Sequence, residues 1–163
     1  MPAVAAVQLK ITMTVSLQEI DAGNFHQCLK LKVADGQENY VADNAVSIAE
    51  SKIFPHLTPL AVYSENELVG FAMYGRDTET GNFWLVRLMI DASQQGKGYG
   101  RAATRAVIEK LNREFDCREI YLSFVPANVC AEKFYSGLGF ERTGETDEDG
   151  EIIMRFVSTD NEK

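Results

Sequence analysis

Three glycines, Gly96, Gly98 and Gly100, alternate with other residues just before a stretch that has a helical pattern. The first turn of a helix leaves its N–H groups without partners and carries a partial positive charge, so it can hold an anion. Glycine has no side chain to block the approach of that anion, and it adopts backbone angles that other residues avoid. The spacing therefore predicts a loop that binds a phosphate or diphosphate group.

Two well-known phosphate-binding loops do not fit this spacing. A P-loop requires G-x-x-x-x-G-K-[ST], whereas Lys97 stands between two glycines and is followed by Gly98. A dinucleotide-binding loop requires G-x-G-x-x-G after the first strand of its unit. Here Arg101 occupies the third glycine position counted from Gly96, and the preceding strand is the fourth. The remaining alternative is that the glycines only turn a strand into a helix.

The hydrophobic pattern predicts strands and helices on both sides of this loop. The predicted strands are 9–15, 60–63, 68–75, 83–90, 119–125, 140–143 and 151–157, and the predicted helices run from about 24 to 33, 39 to 54, 101 to 115 and 128 to 138. The strand 83–90 is nearly all apolar, as expected of a central strand that is covered on both faces. This order of elements predicts an α+β fold with one mixed sheet.

The length and charge of the chain limit its organisation and its partners. Its 163 residues predict a single domain, 1–163, with frayed ends at about 1–6 and 158–163. The formal net charge of −8 argues against nucleic acid or an anionic membrane as a partner, since both require a basic face. That charge suits a cationic ligand, although acidic composition can also serve solubility alone.

The cysteines, the histidines and the N-terminal stretch offer no further chemistry. The three cysteines, Cys28, Cys117 and Cys130, are odd in number and form no C-x-x-C, so we expect reduced, mostly buried thiols. His26 and His56 lack metal-ligand spacing, and no metal site is predicted. The chain opens without the basic and long apolar segments of a secretion signal and has no long apolar run, so we expect a cytoplasmic protein.

Two segments of the sequence resemble motifs of the GNAT superfamily of N-acetyltransferases, which bind acetyl-coenzyme A. Residues 95–100, QGKGYG, are similar to its (R/Q)-x-x-G-x-(G/A) pyrophosphate loop, and residues 128–140, NVCAEKFYSGLGF, are similar to its N-x-x-A-x-x-F-Y-x-x-x-G-F segment. The order of elements fits from about residue 9 to residue 157. The resemblance implies a GNAT-type fold, with a mixed central sheet of about seven strands flanked by about four helices.

The resemblance also implies which residues bind the coenzyme. Backbone groups of Leu88 and Ile90 would pair with the pantetheine arm, and a main-chain N–H near Met89 would polarise the acetyl carbonyl group. The coenzyme-binding set implied in this way is Leu88, Met89, Ile90, Gln95, Gly96, Lys97, Gly98, Tyr99, Gly100, Arg101 and Asn128. Lys97 and Arg101 could instead be solvated loop cations. Asn128 is also placed to cap the helix that follows it.

Tyr135 is the residue for which the resemblance implies catalysis. Its counterpart in the family lies beside the coenzyme sulfur, where it can protonate the leaving thiolate. Periodicity alone favours a core position instead, because Tyr135 follows Ala131 by four residues on a helix. Cys130 could suggest an acyl-cysteine route, but a small buried residue is the simpler interpretation.

Within the superfamily, residues 68–75, 84–87 and 120–123 look most like bacterial spermine/spermidine acetyltransferases. Related polyamine enzymes have an acidic residue on the central strand, where this chain has Val86 followed by Arg87. Arg87 must pair with a carboxylate or carbonyl groups if it is buried. We expect Glu38, together with Asp35, to contact the cationic acceptor, although solvated surface carboxylates are the alternative.

The leading functional hypothesis is an acetyl-coenzyme A dependent N-acetyltransferase that acts on a small polyamine, by direct attack of the amine in a ternary complex. Two alternatives remain. One keeps the donor and changes the acceptor to an aminoglycoside-like amine, a protein N-terminus or a lysine side chain. The other is a coenzyme A binding module without turnover. The resemblance leaves the oligomeric state open, with a homodimer through the final strands as one expectation.

Overall fold

The computed structural model of the chain describes residues 12–159. These residues form seven strands and four helices. In chain order they are β1 (Ser16–Glu19), α1 (Phe25–Lys30), α2 (Asn44–Ile53), β2 (Leu57–Ser64), β3 (Glu67–Arg76), β4 (Phe83–Ile90), α3 (Tyr99–Phe115), β5 (Glu119–Phe124), α4 (Val129–Ser136), β6 (Glu141–Thr146) and β7 (Ile152–Val157). A short 3₁₀ turn, Ala92–Gln94, lies between β4 and the glycine loop.

The seven strands form one mixed sheet in the order β1-β2-β3-β4-β5-β7-β6, which confirms the predicted α+β fold and the central position of β4. β4 is antiparallel to β3 along most of its length. It is parallel to β5 through only two residue pairs, Phe83 with Ile120 and Trp84 with Tyr121. The two strands therefore separate beyond Trp84, and this separation opens the middle of the sheet.

Helices cover both faces of the sheet. One core cluster joins inward residues of the sheet, such as Leu85 and Leu122, to Val107 of α3 and Ala131 of α4. The other joins the opposite face to α1 and α2, with Phe71 at its centre. Side chains that alternate along β4 therefore enter two different cores, as expected of a strand that is covered on both faces.

Several predicted boundaries differ from the structure. The first predicted strand, 9–15, is wrong over 12–15, because pairing begins at Ser16, and residues 9–11 lie outside the described part. α1 ends at Lys30 rather than near 33. α2 starts at Asn44 rather than near 39, because the Asp43 side chain accepts the N–H of Ala45 over 3.1 Å and so fixes the start of the helix.

The predictions for the cysteines and the ends of the chain also have a mixed outcome. Cys28 is buried, but Cys117 is half-buried and Cys130 is exposed, so the expectation of a buried Cys130 is wrong. Cys130 follows Val129 at the exposed start of α4, whereas Ala131 is the α4 residue that enters the core. The Ser158 N–H donates to the Arg118 carbonyl group over 2.7 Å, and the expected frayed segments 1–6 and 160–163 lie outside the described residues.

Candidate active site

A cleft of 770 Å³ occupies the space between the separated strands β4 and β5. Its floor is formed by residues 85–90 of β4 and 122–124 of β5, and its walls come from the α1–α2 connection, α4 and the β6–β7 turn. A short 3₁₀ turn joins β4 to the glycine loop. Gln95, just before Gly96, lines this cleft, whereas residues 96–101 are not among its lining residues. Because β4 has no strand partner on this side, an extended ligand has room to lie along it.

The backbone of the glycine loop presents unpartnered N–H groups. Gly96 and Gly98 have φ angles of 76° and 92°, in the left-handed region that favours glycine. Among residues 12–159, no acceptor is found for the main-chain N–H groups from Gly96 to Arg101. A Cβ atom on Gly96 would meet no atom within 4 Å, so one face of the loop is open to a ligand. These features fit an anionic group such as a diphosphate.

The third glycine has a different role from the first two. A Cβ atom on Gly100 would lie 3.3 Å from the Phe134 ring, closer than ordinary van der Waals contact. Gly100 therefore lets α3 pack closely against α4, which carries Tyr135. Tyr99, between Gly98 and Gly100, has its side chain in the core, so only its main-chain N–H is available to a ligand.

Gln95 joins the loop to the rest of the site. Its Nε2 atom donates to the Ile90 carbonyl oxygen over 3.0 Å and to Gln37 Oε1 over 2.9 Å. The same side chain therefore holds the end of β4, the glycine loop and the α1–α2 connection together. Gln37 lines the cleft but was not predicted as a site residue, since the sequence offers no motif around it.

The two cations of the loop are already engaged with neighbouring residues. Lys97 Nζ lies 3.0 Å from Gln94 Oε1, and its side chain is exposed. Arg101 Nη1 donates to the Gly137 carbonyl group over 3.2 Å, where it joins the start of α3 to the end of α4. Both cations remain near the open face of the loop.

Main-chain groups of Leu88 and Ile90 face the cleft. Asp91 N–H donates to the Val69 carbonyl group over 2.9 Å. Main-chain groups alternate in direction along an antiparallel strand, so those of Met89 also point towards β3, and those of Leu88 and Ile90 point away from it. Of the three predicted residues, Leu88 and Ile90 thus offer main-chain groups to an extended ligand.

Tyr135 lies on α4 with its ring against two other aromatic rings. The ring centroids of Phe134 and Phe140 are 4.9 Å and 5.6 Å away, both edge-on. Burial raises the pKa of Tyr135 to about 12, because the phenolate form would be poorly solvated. Its hydroxyl group makes no hydrogen bond to residues 12–159, and the residue lines the cleft. Tyr135 can therefore hold a proton at neutral pH and present it to a ligand.

Asn128 begins α4 but does not cap it with its side chain, contrary to the capping prediction. The helix instead begins with main-chain bonds, and the Ala131 N–H donates to the Asn128 carbonyl group over 3.1 Å. The Asn128 side chain lies on the cleft wall, where its amide group is available to a ligand.

Carboxylates line two walls of the cleft, the α1–α2 connection and the β6–β7 turn. Glu38 lines the cleft, whereas Asp35 is not among its lining residues. Asp147, Asp149 and Glu151 of the β6–β7 turn also line it. The sequence showed this turn only as an acidic connection, and its place beside the cleft depends on β7 pairing next to β5.

Val86 and Arg87 form a bulge in β4. The pairing with β3 shifts there, so that Met73 lies opposite Arg87 and Tyr74 lies opposite Leu85. Arg87 Nη2 lies 3.3 Å from Glu50 Oε2 and Nη1 donates to the Val86 carbonyl group over 3.0 Å. This confirms the prediction that Arg87 pairs with a carboxylate and a carbonyl group.

Two kinds of feature, a cluster of metal ligands and a membrane-spanning helix, are absent from the part of the chain that the structure describes. Among residues 12–159, no three His, Cys, Asp or Glu side chains are grouped so as to hold a metal ion. Over the same residues, none of the helices combines the length and the apolar character that crossing a bilayer requires.

Comparison with known proteins finds similar sequences and a similar fold. A Bacillus subtilis (strain 168) spermine/spermidine N(1)-acetyltransferase is 34% identical over 148 residues, which cover 87% of this chain and 97% of that protein. A Klebsiella pneumoniae aminoglycoside N(6′)-acetyltransferase type 1 is 29% identical over 69% of this chain and 58% of its own length. A Vibrio cholerae spermidine N-acetyltransferase, solved with coenzyme A and spermine, has 15% identity and a TM-score of 0.71 over 90% of this chain and 96% of its own.

The family model described as the acetyltransferase (GNAT) family matches residues 25–140, from the start of α1 to the end of the segment after α4. This match includes β4, the glycine loop and Tyr135, and it ends before the β6–β7 turn, which also lines the cleft. Together with the Bacillus subtilis relative, it confirms the family predicted from the two sequence motifs. The chain belongs to the GNAT family of acetyltransferases.

Proposed function

We propose that the protein transfers an acetyl group from acetyl-coenzyme A to a primary amine of a small polyamine such as spermidine or spermine. The observation that carries this proposal is the row of unpartnered N–H groups from Gly96 to Arg101, which follows Gln95 of a cleft that is lined by carboxylates of the α1–α2 connection and the β6–β7 turn. The first feature suits a diphosphate and the second suits a cation. The name of the Bacillus subtilis relative supports the choice of acceptor.

On this proposal the chain holds the donor through its backbone. N–H groups of the glycine loop receive the diphosphate, and main-chain groups of Leu88 and Ile90 pair with the pantetheine arm. The bound donor supplies the acetyl thioester and leaves as the thiol. Asn128, on the wall beside Tyr135, gives the arm a further polar contact.

Tyr135 acts on this proposal as the general acid. Its pKa of about 12 keeps the hydroxyl protonated over the whole neutral range, and its oxygen has no partner within residues 12–159. A thiol has a pKa of about 8.5, below that of Tyr135, so the hydroxyl group stabilises the charge that develops on sulfur by a hydrogen bond, and solvent replaces the proton that Tyr135 gives to sulfur. The Phe134 and Phe140 rings pack edge-on against the Tyr135 ring and help to position it.

On this proposal the carboxylates that line the cleft hold the acceptor. A polyamine carries an ammonium group at each reactive nitrogen, with a pKa of about 10, so it is attracted to Glu38 and Asp149. When one ammonium group of the polyamine binds a carboxylate, another nitrogen of the same molecule is free to reach the floor of the cleft. The formal net charge of −8 would also attract such a ligand from a distance.

Release of the thiol from acetyl-coenzyme A tests the proposal. The purified protein is mixed with the donor and with spermidine, spermine, an aminoglycoside or a lysine-containing peptide, and free thiol is followed with time. We expect release with the polyamines at rates well above those with the other amines. Binding of the donor without release with any amine would contradict the proposal and favour a coenzyme-binding module.

An aminoglycoside is the second candidate acceptor, because a relative with 29% identity bears that activity in its name. An aminoglycoside is also polycationic, so the carboxylates of the cleft do not discriminate between a polyamine and an aminoglycoside acceptor. The same panel of amines does so directly. We further propose a single cytoplasmic domain, and a homodimer stays a prediction.

A further inference from the structure

Glu151 lies just before β7 on the wall of the cleft, and its side chain is held by the neighbouring strand. Its Oε2 atom accepts a hydrogen bond from Ser123 Oγ over 2.7 Å. Its main-chain N–H donates to Asp147 Oδ1 over 2.9 Å, which fixes the turn behind it. The carboxylate is therefore placed by two contacts, and its Oε1 atom makes no hydrogen bond within residues 12–159.

Ser123 occupies the position on β5 that corresponds to Val86 on β4. The two parallel pairs are Phe83 with Ile120 and Trp84 with Tyr121, and continuing that register by two residues sets Val86 against Ser123. The strands separate there, so the space between Val86 and Ser123 is part of the cleft. Val86 has no polar side-chain group to offer in that space, whereas Ser123 holds a carboxylate at the matching position of β5.

The other charged groups of the cleft wall fit a proton-accepting role less well. Asp147 Oδ1 is used by the N–H groups of Asp149 and Glu151. Arg87 is a cation bonded to Glu50. Asp149 and Glu38 are exposed, and Glu38 Oε2 accepts the N–H of Gly36 over 2.9 Å. Glu151 is half-buried and is the one of these carboxylates that is bonded to the floor of the cleft.

We propose, on the basis of the proposed acetyl transfer, that Glu151 accepts the proton of the attacking nitrogen and that Ser123 is its positioning residue. The acceptor ammonium group first gives one proton to Glu151 Oε1, which passes it to solvent. The nitrogen lone pair then forms the carbon–nitrogen bond, and the carbon–sulfur bond breaks. The second proton lost by the nitrogen goes to Glu151 Oε1, and the proton gained by sulfur comes from Tyr135. Glu151 then gives its proton to solvent, and Tyr135 takes one from solvent, so the cycle closes without any further reactant.

Glu151→Gln tests this role, with Glu148→Gln as the matched control. Glu148 lies on the same turn but is exposed and is not among the lining residues of the cleft. We expect Glu151→Gln to lower kcat by about 100-fold at pH 7, with coenzyme A affinity unchanged, and Glu148→Gln to act like the native protein. The kcat deficit should shrink by at least about tenfold at pH 9.5, because hydroxide and a neutral acceptor replace a missing base.

Ser123→Ala provides a second test and carries the proposal if Glu151→Gln does not fold. It keeps the carboxylate but removes its hydrogen bond, so we expect about tenfold lower kcat with little change in KM. Three results would overturn the proposal: Glu151→Gln equal to Glu148→Gln, an effect on KM alone, or a kcat deficit that stays constant with pH. If the native protein acetylates no amine, the proposed function itself fails, which is a distinguishable result.

Discussion

The Nε2 atom of Gln95 donates a hydrogen bond to the main-chain carbonyl oxygen of Ile90 over 3.0 Å. This bond connects the last residue of β4 to the start of the glycine loop. A second bond from Gln95 Nε2 connects the loop to Gln37 of the α1–α2 connection. The N–H groups of the loop are thereby held in a fixed position relative to the floor of the cleft. Fixed donors lose little entropy when a ligand binds, which favours tight binding.

Gln95→Leu should weaken coenzyme A binding about tenfold, because it removes three hydrogen bonds of the Gln95 side chain at nearly constant volume. Titration calorimetry with coenzyme A measures the change. Gln94→Leu is the matched control, since Gln94 bonds Glu67 and Lys97 and does not line the cleft. Equal losses in both variants would show that Gln95 does not organise the binding loop.

Gly98→Ala should weaken coenzyme A binding more than it weakens the fold. Gly98 has a φ of 92°, which costs a residue with a side chain about 1 kcal/mol or more. Gly144→Ala carries the same strain at a φ of 87°, in open space away from the cleft. Urea unfolding should show similar losses for both, whereas only Gly98→Ala should lose affinity. If both variants bind coenzyme A alike, the glycine loop does not contact it.

Much of the site could be predicted because its parts follow each other along the chain. β4 is apolar except for Arg87, and only a short turn separates it from the glycine loop, so both boundaries of β4 agree with the prediction. The start of α2 was missed, because Asp43 decides it through one hydrogen bond rather than through the apolar pattern. The bulge at Val86 was also missed, since it arises from pairing between distant strands.

The carboxylates of the cleft were also only partly predictable from the sequence. Glu38 was predicted at the acceptor side and does line the cleft, whereas the separation of β4 from β5 and the approach of Glu151 were not foreseen. The approach of Glu151 depends on β7 inserting between β5 and β6, which joins residues that are about thirty positions apart in sequence. Local patterns do not report such a long-range pairing.

Tyr135→Phe should lower kcat by about 100-fold or more while coenzyme A affinity stays unchanged, because the ring contacts remain and only the proton is lost. Steady-state kinetics and calorimetry measure the two quantities separately. Tyr40→Phe is the matched control on the same cleft, where the hydroxyl lies 3.4 Å from the Ala127 carbonyl oxygen. Joint loss of kcat and affinity in Tyr135→Phe would assign the hydroxyl a packing role.

The stability of the fold should depend on Tyr135 at alkaline pH. Burial raises the pKa of Tyr135 from 10.0 to about 12, so the folded state keeps a proton that the unfolded chain releases first. The stabilisation is therefore complete below about pH 10 and is lost as the pH rises towards 12. We expect the unfolding free energy to fall over this range, and to fall less in Tyr135→Phe.

Cys28 contributes to the same loss of unfolding free energy at alkaline pH, and its contribution must be subtracted. Burial, with the nearby charge of Asp21, raises the pKa of its thiol from 9.0 to about 11, so its contribution is lost between about pH 9 and pH 11. Comparison of the native protein with Tyr135→Phe removes this shared term. Identical pH dependence in the two proteins would contradict a buried, protonated Tyr135.

Glu38→Gln should raise the KM for spermidine about two- to fivefold and leave kcat unchanged, as expected of an exposed ion pair. Asp35→Asn is the matched control, because Asp35 precedes Glu38 on the same connection but does not line the cleft. The effect should weaken as salt is added, since exposed charges are screened. An unchanged KM for every amine would remove Glu38 from the acceptor site.

A crystal structure of the protein with coenzyme A tests the central claim most directly. The distances to measure are those between the main-chain nitrogen atoms of Gly96 to Arg101 and the diphosphate oxygens. The account predicts several of them at about 2.7–3.2 Å, with the pantetheine arm running along Leu88 and Ile90 towards Tyr135. A diphosphate bound elsewhere, with these nitrogen atoms facing water, would contradict it.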